Sequence, residues 1–468
     1  MERKKFDVAV IGAGPGGYVA AIKAAQMGKQ VALIEKTSLG GTCLNVGCIP
    51  TKTLIANAHV LRQIQHAADF GIEIGSVSVN YGKMKTRKDA VIEKMRKGLE
   101  GLLQSNSITI IRGHAEFLSP REIKVKGENN EVLFANQTII ATGSAPLDIP
   151  AFPCDHEKVF NSTSILELTS LPKSLAIIGG GYIGCEFASL FAELGVKITI
   201  LEALPSILSL QGKVVAETMT RAFSKKGIEI QTGVFVEGID QTNSGVSVRL
   251  KGKEALCFDA ALVAVGRKII SDNIGLDKAG VKVSDKGAIV VNDKMETSAQ
   301  GIYAIGDVTG KFLLAHVASH QGIVAAANAC GGSAHMHYDA VPAVIFTLPE
   351  VATVGLTQEQ AEEGGHVISI GKFPFQALGK SVASLEVEGF AQVISDKKTG
   401  QILGAQVIGH EAASLIAEIG LAMTNELTLA SIIDTIHAHP TLPEAWLEAA
   451  LLANDTPLHF PPKSKKTV

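Results

Sequence analysis

A duplication constrains this chain more than any other feature. Residues 6–35 read FDVAVIGAGPGGYVAAIKAAQMGKQVALIE, and residues 175–202 read LAIIGGGYIGCEFASLFAELGVKITILE. A shift of 167 positions lays one on the other. Gly12, Gly14 and Gly17 fall on Gly179, Gly181 and Gly184; Ala21, Ala25 and Gly28 fall on Ala188, Ala192 and Gly195; Glu35 falls on Glu202. In each copy an apolar run enters a glycine-rich turn, a helical stretch follows, and a second apolar run closes on an acid. This is the strand–turn–helix–strand setting in which GxGxxG carries meaning.

Each part has a physical task. The first glycine permits the tight turn, the second lets a pyrophosphate approach the backbone, and the third lets helix and strand pack closely. The helix N-terminus offers N–H groups and a positive dipole end to phosphates. Glu35 and Glu202 are placed to accept hydrogen bonds from a ribose. Two copies with one glycine-to-glutamate spacing predict two dinucleotide sites in an α/β protein with parallel sheets. A carboxylate at position 202 suits a free 2′-hydroxyl and repels a 2′-phosphate, and no Arg follows before Arg221. The second site is therefore expected to take NAD rather than NADP.

The bulk numbers allow large packed cores and exclude wholesale disorder. The 468 residues are enough for about three or four domains, and apolar residues make up 46% against 19% charged. The formal charge is −3 with both signs interspersed, which argues against a nucleic-acid or anionic-membrane surface. No apolar run approaches the roughly 18–20 residues of a membrane helix. The opening MERKKFDVAVIG moves at once from charges to a strand, leaving no room for a signal peptide, so the expected compartment is the cytoplasm.

Six cysteines are too sparse for a secreted disulfide framework. Cys154, Cys185, Cys257 and Cys330 stand alone and are expected to be inert thiols. Cys43 and Cys48 differ: they sit in GGTCLNVGCIPTK, directly after the first nucleotide unit. Metal binding needs three or four ligands, and no second pair accompanies them. A structural staple over so short a loop would contribute only about 2 kcal/mol and would be reduced in a cytosol. A redox pair fits better, one thiolate attacking and the other resolving. Pro50 can start a helix just past Cys48, and that N-terminus and Lys52 would favour a thiolate.

GAGPGG, GGTCLNVGCIPTK and GGGYIGCE in this order resemble the pyridine nucleotide–disulfide oxidoreductases, and the likeness runs over essentially the whole chain. The resemblance implies FAD as a non-covalent prosthetic group and NAD as co-substrate. It makes Cys43 the interchange thiol and Cys48 the sulfur nearer the flavin, with Lys52 and Glu186 paired beside the ring. It assigns Gly113 to the adenine side, Thr142, Gly143 and Ser144 of the ATGS turn to the flavin, and Asp307 of GIYAIGD to the ribityl chain. Leu313, Leu314, Ala315 and His316 continue along the flavin, while Val234 and Gly266 contact NAD.

The segment HAHPTLPEA near the C-terminus has two readings. Thr441 and Glu444 spell a capping box opening an amphipathic helix. The resemblance instead makes His439 the acid–base and Glu444 the acid that orients its imidazole; both roles fit only if the carboxylate does not turn fully back onto the helix. His437 is expected to support the loop.

Four segments follow: residues 1–147 as an FAD-binding domain with the redox pair, 148–270 as an NAD-binding domain, 271–340 as a central domain completing the FAD site, and 341–468 as an α+β dimerisation domain. The stretch KMKTRKDAVIEKMRKG is expected to be a charged helix with a solvated basic face, and the tail TPLHFPPKSKKTV to be mobile. Within the family the chain most resembles members that oxidise a dihydrolipoyl group tethered to a partner. That partner is an acyltransferase of 2-oxo acid dehydrogenase complexes or the carrier protein of the glycine cleavage system, and the working form is a homodimer. The alternatives are another flavoprotein disulfide reductase, or a non-catalytic flavoprotein scaffold that would tolerate loss of either cysteine.

Overall fold

The computed structural model describes residues 4–127 and 130–461, so the end of the Lys-rich tail lies outside the described residues. The chain forms two compact units. One holds Met1–His156, Phe160–Leu171 and Gly266–His337; the other holds Glu157–Val159, Pro172–Val265 and Tyr338–Val468.

In the first unit β1 (Lys4–Ile11) buries Val8, Ala9, Val10 and Ile11, because a strand covered on both faces must be apolar on both. Pro15 opens α1 (Pro15–Gln26), where its fixed φ suits the first helical position and its missing N–H costs nothing. β2 (Val31–Glu35) returns parallel to β1, pairing Leu33 with Val10. Two helices, α2 (Gly41–Val46) and α3 (Cys48–Gln65), follow, then the long α4 (Tyr81–Ser105) and β3 (Thr109–Arg112) beside β2. On the other side of β1 lies Glu131–Ile140, and Ile302–Ala304 joins that strand in parallel. The helix Ala315–Ala329 packs tightly on α1: a Cβ on Gly16 would sit 2.9 Å from the Ala318 carbonyl oxygen, and one on Gly322 would sit 2.5 Å from that of Gly16.

The second unit repeats the pattern with Ser174–Ile178, α5 (Tyr182–Glu193) and Lys197–Leu201. Ile177 pairs with Ile200 there, the counterparts of Val10 and Leu33, so the duplicated sequence also duplicates the register. The same unit holds an antiparallel five-stranded sheet in the order Ala343–Ile345, Glu350–Gly355, Ile402–Gly409, Phe390–Asp396, Ile368–Pro374. Ala412–Thr424 and Glu444–Ala453 pack with this sheet around Trp446, which is 1% exposed. Its indole N–H donates to the Leu415 carbonyl at 3.0 Å, meeting the need of a buried polar tip for a partner.

The expected solvated face of α4 holds for Lys83, Arg87, Lys94 and Lys97, which are exposed, but not for Lys88 and Arg96. Lys88 is 1% exposed, and its ammonium reaches the Leu166 carbonyl at 3.0 Å, Glu167 at 3.0 Å and Asp89 at 2.8 Å. Arg96 is likewise engaged, with Asn45. Lys88 and Arg96 thus fasten α4 to the segments around it. A buried ammonium is tolerated here because carboxylates and a carbonyl replace the water it loses.

Candidate active site

The two glycine turns are near copies in three dimensions. Gly12 and Gly179 stand at φ +102° and +105°, a region that only glycine enters cheaply. A Cβ on either would fall 2.3 Å or 2.5 Å from a carbonyl oxygen, that of Ala141 or Ala264. A Cβ on Gly17 or Gly184 would lie 1.8 Å or 2.0 Å from the oxygen of Gly12 or Gly179, so helix and strand touch there. The middle glycines are different: Gly181 has nothing within 4 Å, and Gly14 has only the Cα of Gly41 at 4.0 Å. Tight outer glycines and an open middle one at a helix N-terminus without acidic residues in its first turn form a cradle that fits a pyrophosphate.

The two glutamates fold back onto their own turns. Glu35 Oε2 accepts the Ala13 N–H at 2.8 Å, and Oε1 accepts the Thr37 N–H at 2.8 Å and its hydroxyl at 2.9 Å. Glu202 Oε2 accepts the Gly180 N–H at 2.5 Å, and Oε1 accepts the Leu204 N–H at 2.7 Å. These acids therefore brace their own turns, a role the spacing did not disclose. A carboxylate offers about four lone-pair sites, so Glu202 keeps capacity for a ligand. Gly113 ends β3 beside Glu35, its N–H on the Glu35 carbonyl at 2.9 Å, and Val234 donates to the Glu202 carbonyl at 3.0 Å.

Around the expected ribityl position the first unit builds a polar cluster. Ser144 donates to Asp307 Oδ2 at 2.5 Å. Arg267 sends Nε to the Ser144 hydroxyl at 2.7 Å and Nη2 to its carbonyl at 2.9 Å. Burial pushes the Asp307 carboxyl up, while Ser144 and then Arg267 oppose the shift. The Thr142 hydroxyl donates to the Ile270 carbonyl at 2.5 Å, and Ile270 N–H to the Gly143 carbonyl at 3.0 Å. Gln321, with no exposure, accepts the Gly306 N–H at 2.7 Å and so steadies the turn carrying Asp307. Leu313 and Leu314 lead into the helix that begins at Ala315 and His316.

The cysteines flank a break between two helices. Cys43 lies on α2, Cys48 is the first residue of α3, and Gly47 between them takes φ −144°, ψ −109°. The Cys43 thiol is pushed up, first by its hydrogen bond with Cys48 and then by burial, while the charge of Lys52 pulls the other way. Tyr18 of α1 is raised by burial and then by Cys43, which places the thiol against the first nucleotide helix. The loop also touches the turn directly. Gly40 N–H donates to the Ala13 carbonyl at 2.8 Å, and a Cβ on Gly41 would strike the Gly14 Cα at 2.6 Å.

In the second unit His439 Nδ1 stands 2.8 Å from Glu444 Oε1, and Glu444 Oε2 accepts the Thr441 N–H at 2.7 Å. The expected capping box is only half present. The helix starts at Glu444 rather than just after Thr441, and the Thr441 hydroxyl donates to the Ala438 carbonyl at 2.6 Å. One carboxylate thus performs both tasks, an oxygen for each. His439 is 76% exposed, whereas His437 is 4% exposed and held by Glu418 at 2.9 Å and the Thr435 carbonyl at 3.0 Å. Glu186, also in this unit, accepts the Phe346 N–H at 2.9 Å. Lys52 and Gly266 belong to the first unit. Sequence reasoning missed Arg267, Gln321, Tyr18 and Asn45; a signal existed only for Arg267, the Arg of AVGR.

No helix among the described residues is long and apolar enough to cross a membrane, and no group of metal-ligating side chains occurs among them. Comparison with known proteins gives concordant matches. The family model described as pyridine nucleotide-disulphide oxidoreductase matches residues 6–322, and that of the family's dimerisation domain matches residues 341–450. The dihydrolipoyl dehydrogenase of Chlamydia pneumoniae is 51% identical over 98% of this chain and 100% of its own length. That of Geobacillus stearothermophilus is 41% identical over 97% of each. Among solved structures, LpdA from Mycobacterium tuberculosis superposes with a TM-score of 0.90 at 26% identity, over 96% of this chain and 99% of that one. The HOCl-induced flavoprotein disulfide reductase RclA from Escherichia coli gives 0.86 at 31%, over 95% and 99%. With its duplicated turns, its cysteine pair and matches of this extent, the chain belongs to the pyridine nucleotide-disulphide oxidoreductase family.

Proposed function

We propose that this protein is a dihydrolipoyl dehydrogenase, oxidising a protein-bound dihydrolipoyl group to lipoyl with NAD⁺ as acceptor. The observation that carries the proposal is the seating of the dithiol loop on the first dinucleotide turn, Gly41 on Gly14 and Gly40 on Ala13. That contact brings a sulfur pair to the unit whose turn suits FAD. Identities of 41–51% over nearly the full length with enzymes named dihydrolipoyl dehydrogenase support the same substrate.

Each group has a task. Gly12, Gly14 and Gly17 with Glu35 would hold the ADP half of FAD, and Asp307 with Ser144 the ribityl side. FAD, when bound, supplies two-electron chemistry between a dithiol and a nicotinamide. His439, its Nδ1 facing Glu444, leaves Nε2 to take a thiol proton from the substrate. With Cys43 and Cys48 joined as a disulfide, the resulting thiolate attacks Cys43, the Cys43–Cys48 bond breaks as a mixed disulfide forms, and Cys48 departs as the thiolate near the flavin position. The second substrate sulfur then displaces Cys43, releasing the lipoyl disulfide and leaving the enzyme pair reduced. Lys52 provides positive charge beside these sulfurs, and Glu186 is its proposed partner. Gly179, Gly181, Gly184, Glu202, Val234 and Gly266 would hold NAD, Glu202 favouring a free 2′-hydroxyl.

The match to a dimerisation domain supports a homodimer, with His439 serving the partner's cysteines. A lipoylated acyltransferase or glycine-cleavage carrier would bring the substrate. An anaerobic titration tests the proposal. Dihydrolipoamide added to the yellow holoenzyme should raise long-wavelength charge-transfer absorbance, and NAD⁺ should restore the oxidised spectrum. No spectral change with dihydrolipoamide would sink it.

A further inference from the structure

We propose that Arg96, on the charged helix α4, is a positioning residue that sets the redox poise of the Cys43–Cys48 pair by gripping Asn45 between them; this rests on the dithiol role proposed above. Asn45 is the centre of the local hydrogen bonding. Its Nδ2 donates to the Leu39 carbonyl at 2.9 Å and the Gly41 carbonyl at 2.8 Å. Its Oδ1 receives Arg96 Nε at 3.1 Å and Nη2 at 2.8 Å. A guanidinium has donors only, so it dictates which end of the amide is the acceptor and thereby aims the NH₂ at the two carbonyls.

The grip matters because α2 cannot hold itself. It has six residues, too few for an isolated helix to persist in water, and it is separated from α3 by the break at Gly47. Cys43 rides on α2 and Cys48 on α3, so any swing of α2 changes the approach of one sulfur to the other. Asn45 closes on the first residue of α2, Gly41, and ties the helix back to Leu39 before it, and Arg96 ties Asn45 to a helix of 25 residues. The third arm of the guanidinium rests on Glu93 at 3.2 Å, on the half-exposed side.

A clamp that limits this swing raises the effective concentration of one thiol for the other. Closing the pair forms one S–S bond and gives up two thiol protons and two electrons; in a dithiothreitol buffer these reduce the cyclic disulfide to dithiothreitol. Loosening the clamp makes the pair easier to reduce. Wild-type, R96M, R96K and E93Q holoenzymes should be equilibrated anaerobically in dithiothreitol redox buffers, alkylated, and scored by the mass of the Cys43–Cys48 peptide. R96M should shift the exchange equilibrium about three- to tenfold toward the dithiol, roughly 15–30 mV. R96K, with charge but no fork, should fall between, and E93Q should match wild type. Equal midpoints for wild type and R96M in folded protein would overturn the proposal. If R96M does not fold, an unshifted R96K does the same. A wild type that never closes the pair in oxidising buffer would instead bring down the dithiol role itself, and this inference with it.

Discussion

Glu444 sets one carboxylate oxygen 2.8 Å from His439 Nδ1 and gives the other to the Thr441 N–H at 2.7 Å, so the imidazole is fixed by an acid that is itself fixed by the backbone. Burial raises the Glu444 carboxyl, but the Thr441 N–H and His439 outweigh it and leave it below the usual range. A lowered carboxyl stabilises the fold above its ordinary value of 4.5 and loses that contribution as pH falls through the native value. The melting gap between wild type and Glu444→Gln should therefore be open at neutral pH and close as pH falls below 4.5. A gap that stays constant over this range would separate Glu444 from any ionic role.

The base role proposed for His439 is tested by His439→Gln. Dithiol oxidation should fall by about 10²–10⁴-fold, the usual worth of a positioned general base. Reduction of artificial dyes by NADH should stay near the wild-type rate, because that half-reaction moves no substrate thiol proton. Equal loss in both assays would remove His439 from the thiol step.

Cys48→Ser separates chemistry from binding. The cradle proposed for FAD uses backbone and carboxylates of other residues, so the variant should purify yellow with a full flavin complement. Lipoamide turnover should be lost, since Cys43 alone cannot close an intramolecular disulfide. Retained turnover would favour a scaffold role for the loop.

What could be read in advance divides along physical lines. The glycine turns, the closing glutamates and the shared register were legible because each is dictated by a few neighbouring residues: a positive φ at Gly12, a helix–strand contact at Gly17, an acid at a strand end. The dimerisation domain and the His439–Glu444 pair came with the family pattern, whereas the antiparallel order of the C-terminal sheet did not. Arg96, Lys88 and Gln321 were opaque. Their partners, Asn45, Leu166 and Gly306, lie 51, 78 and 15 residues away, and a helix period cannot say which basic side chain will be drawn inward. The start of the last helix was misplaced for the opposite reason. The local T-x-x-E signal is real, and Glu444 does accept the Thr441 N–H, but the Thr441 hydroxyl is taken by the Ala438 carbonyl and caps no helix.

Glu202 is the next residue to test. It braces Gly180 and Leu204, and it would face the ribose of NAD. Glu202→Arg should raise the KM for NAD⁺ by about tenfold or more while FAD content is unchanged, because a lost charged hydrogen bond costs about 1.5–3 kcal/mol. Unaltered NAD⁺ kinetics would withdraw the assignment. The mirror variant, Glu35→Gln, should weaken retention of FAD instead.

Arg267 and Asp307 give a pH signature of opposite direction to that of Glu444. Asp307 is a buried carboxyl raised above its ordinary value of 3.8, with Ser144 and Arg267 limiting the rise. A raised carboxyl weakens the fold as pH climbs through its native value, since the charged form is then forced into a dry site. Arg267→Met removes one of the opposing groups and lifts that value further. Wild type and variant should therefore melt with their smallest separation in acid, where Asp307 is neutral in both, and diverge as pH rises to neutrality. FAD release, followed by flavin fluorescence, should accelerate in the opposite direction, as pH falls, and should begin at higher pH in the variant, because a protonated Asp307 no longer offers the same acceptor to a ribityl hydroxyl. Parallel melting curves at every pH would show that Arg267 holds Ser144 for packing alone.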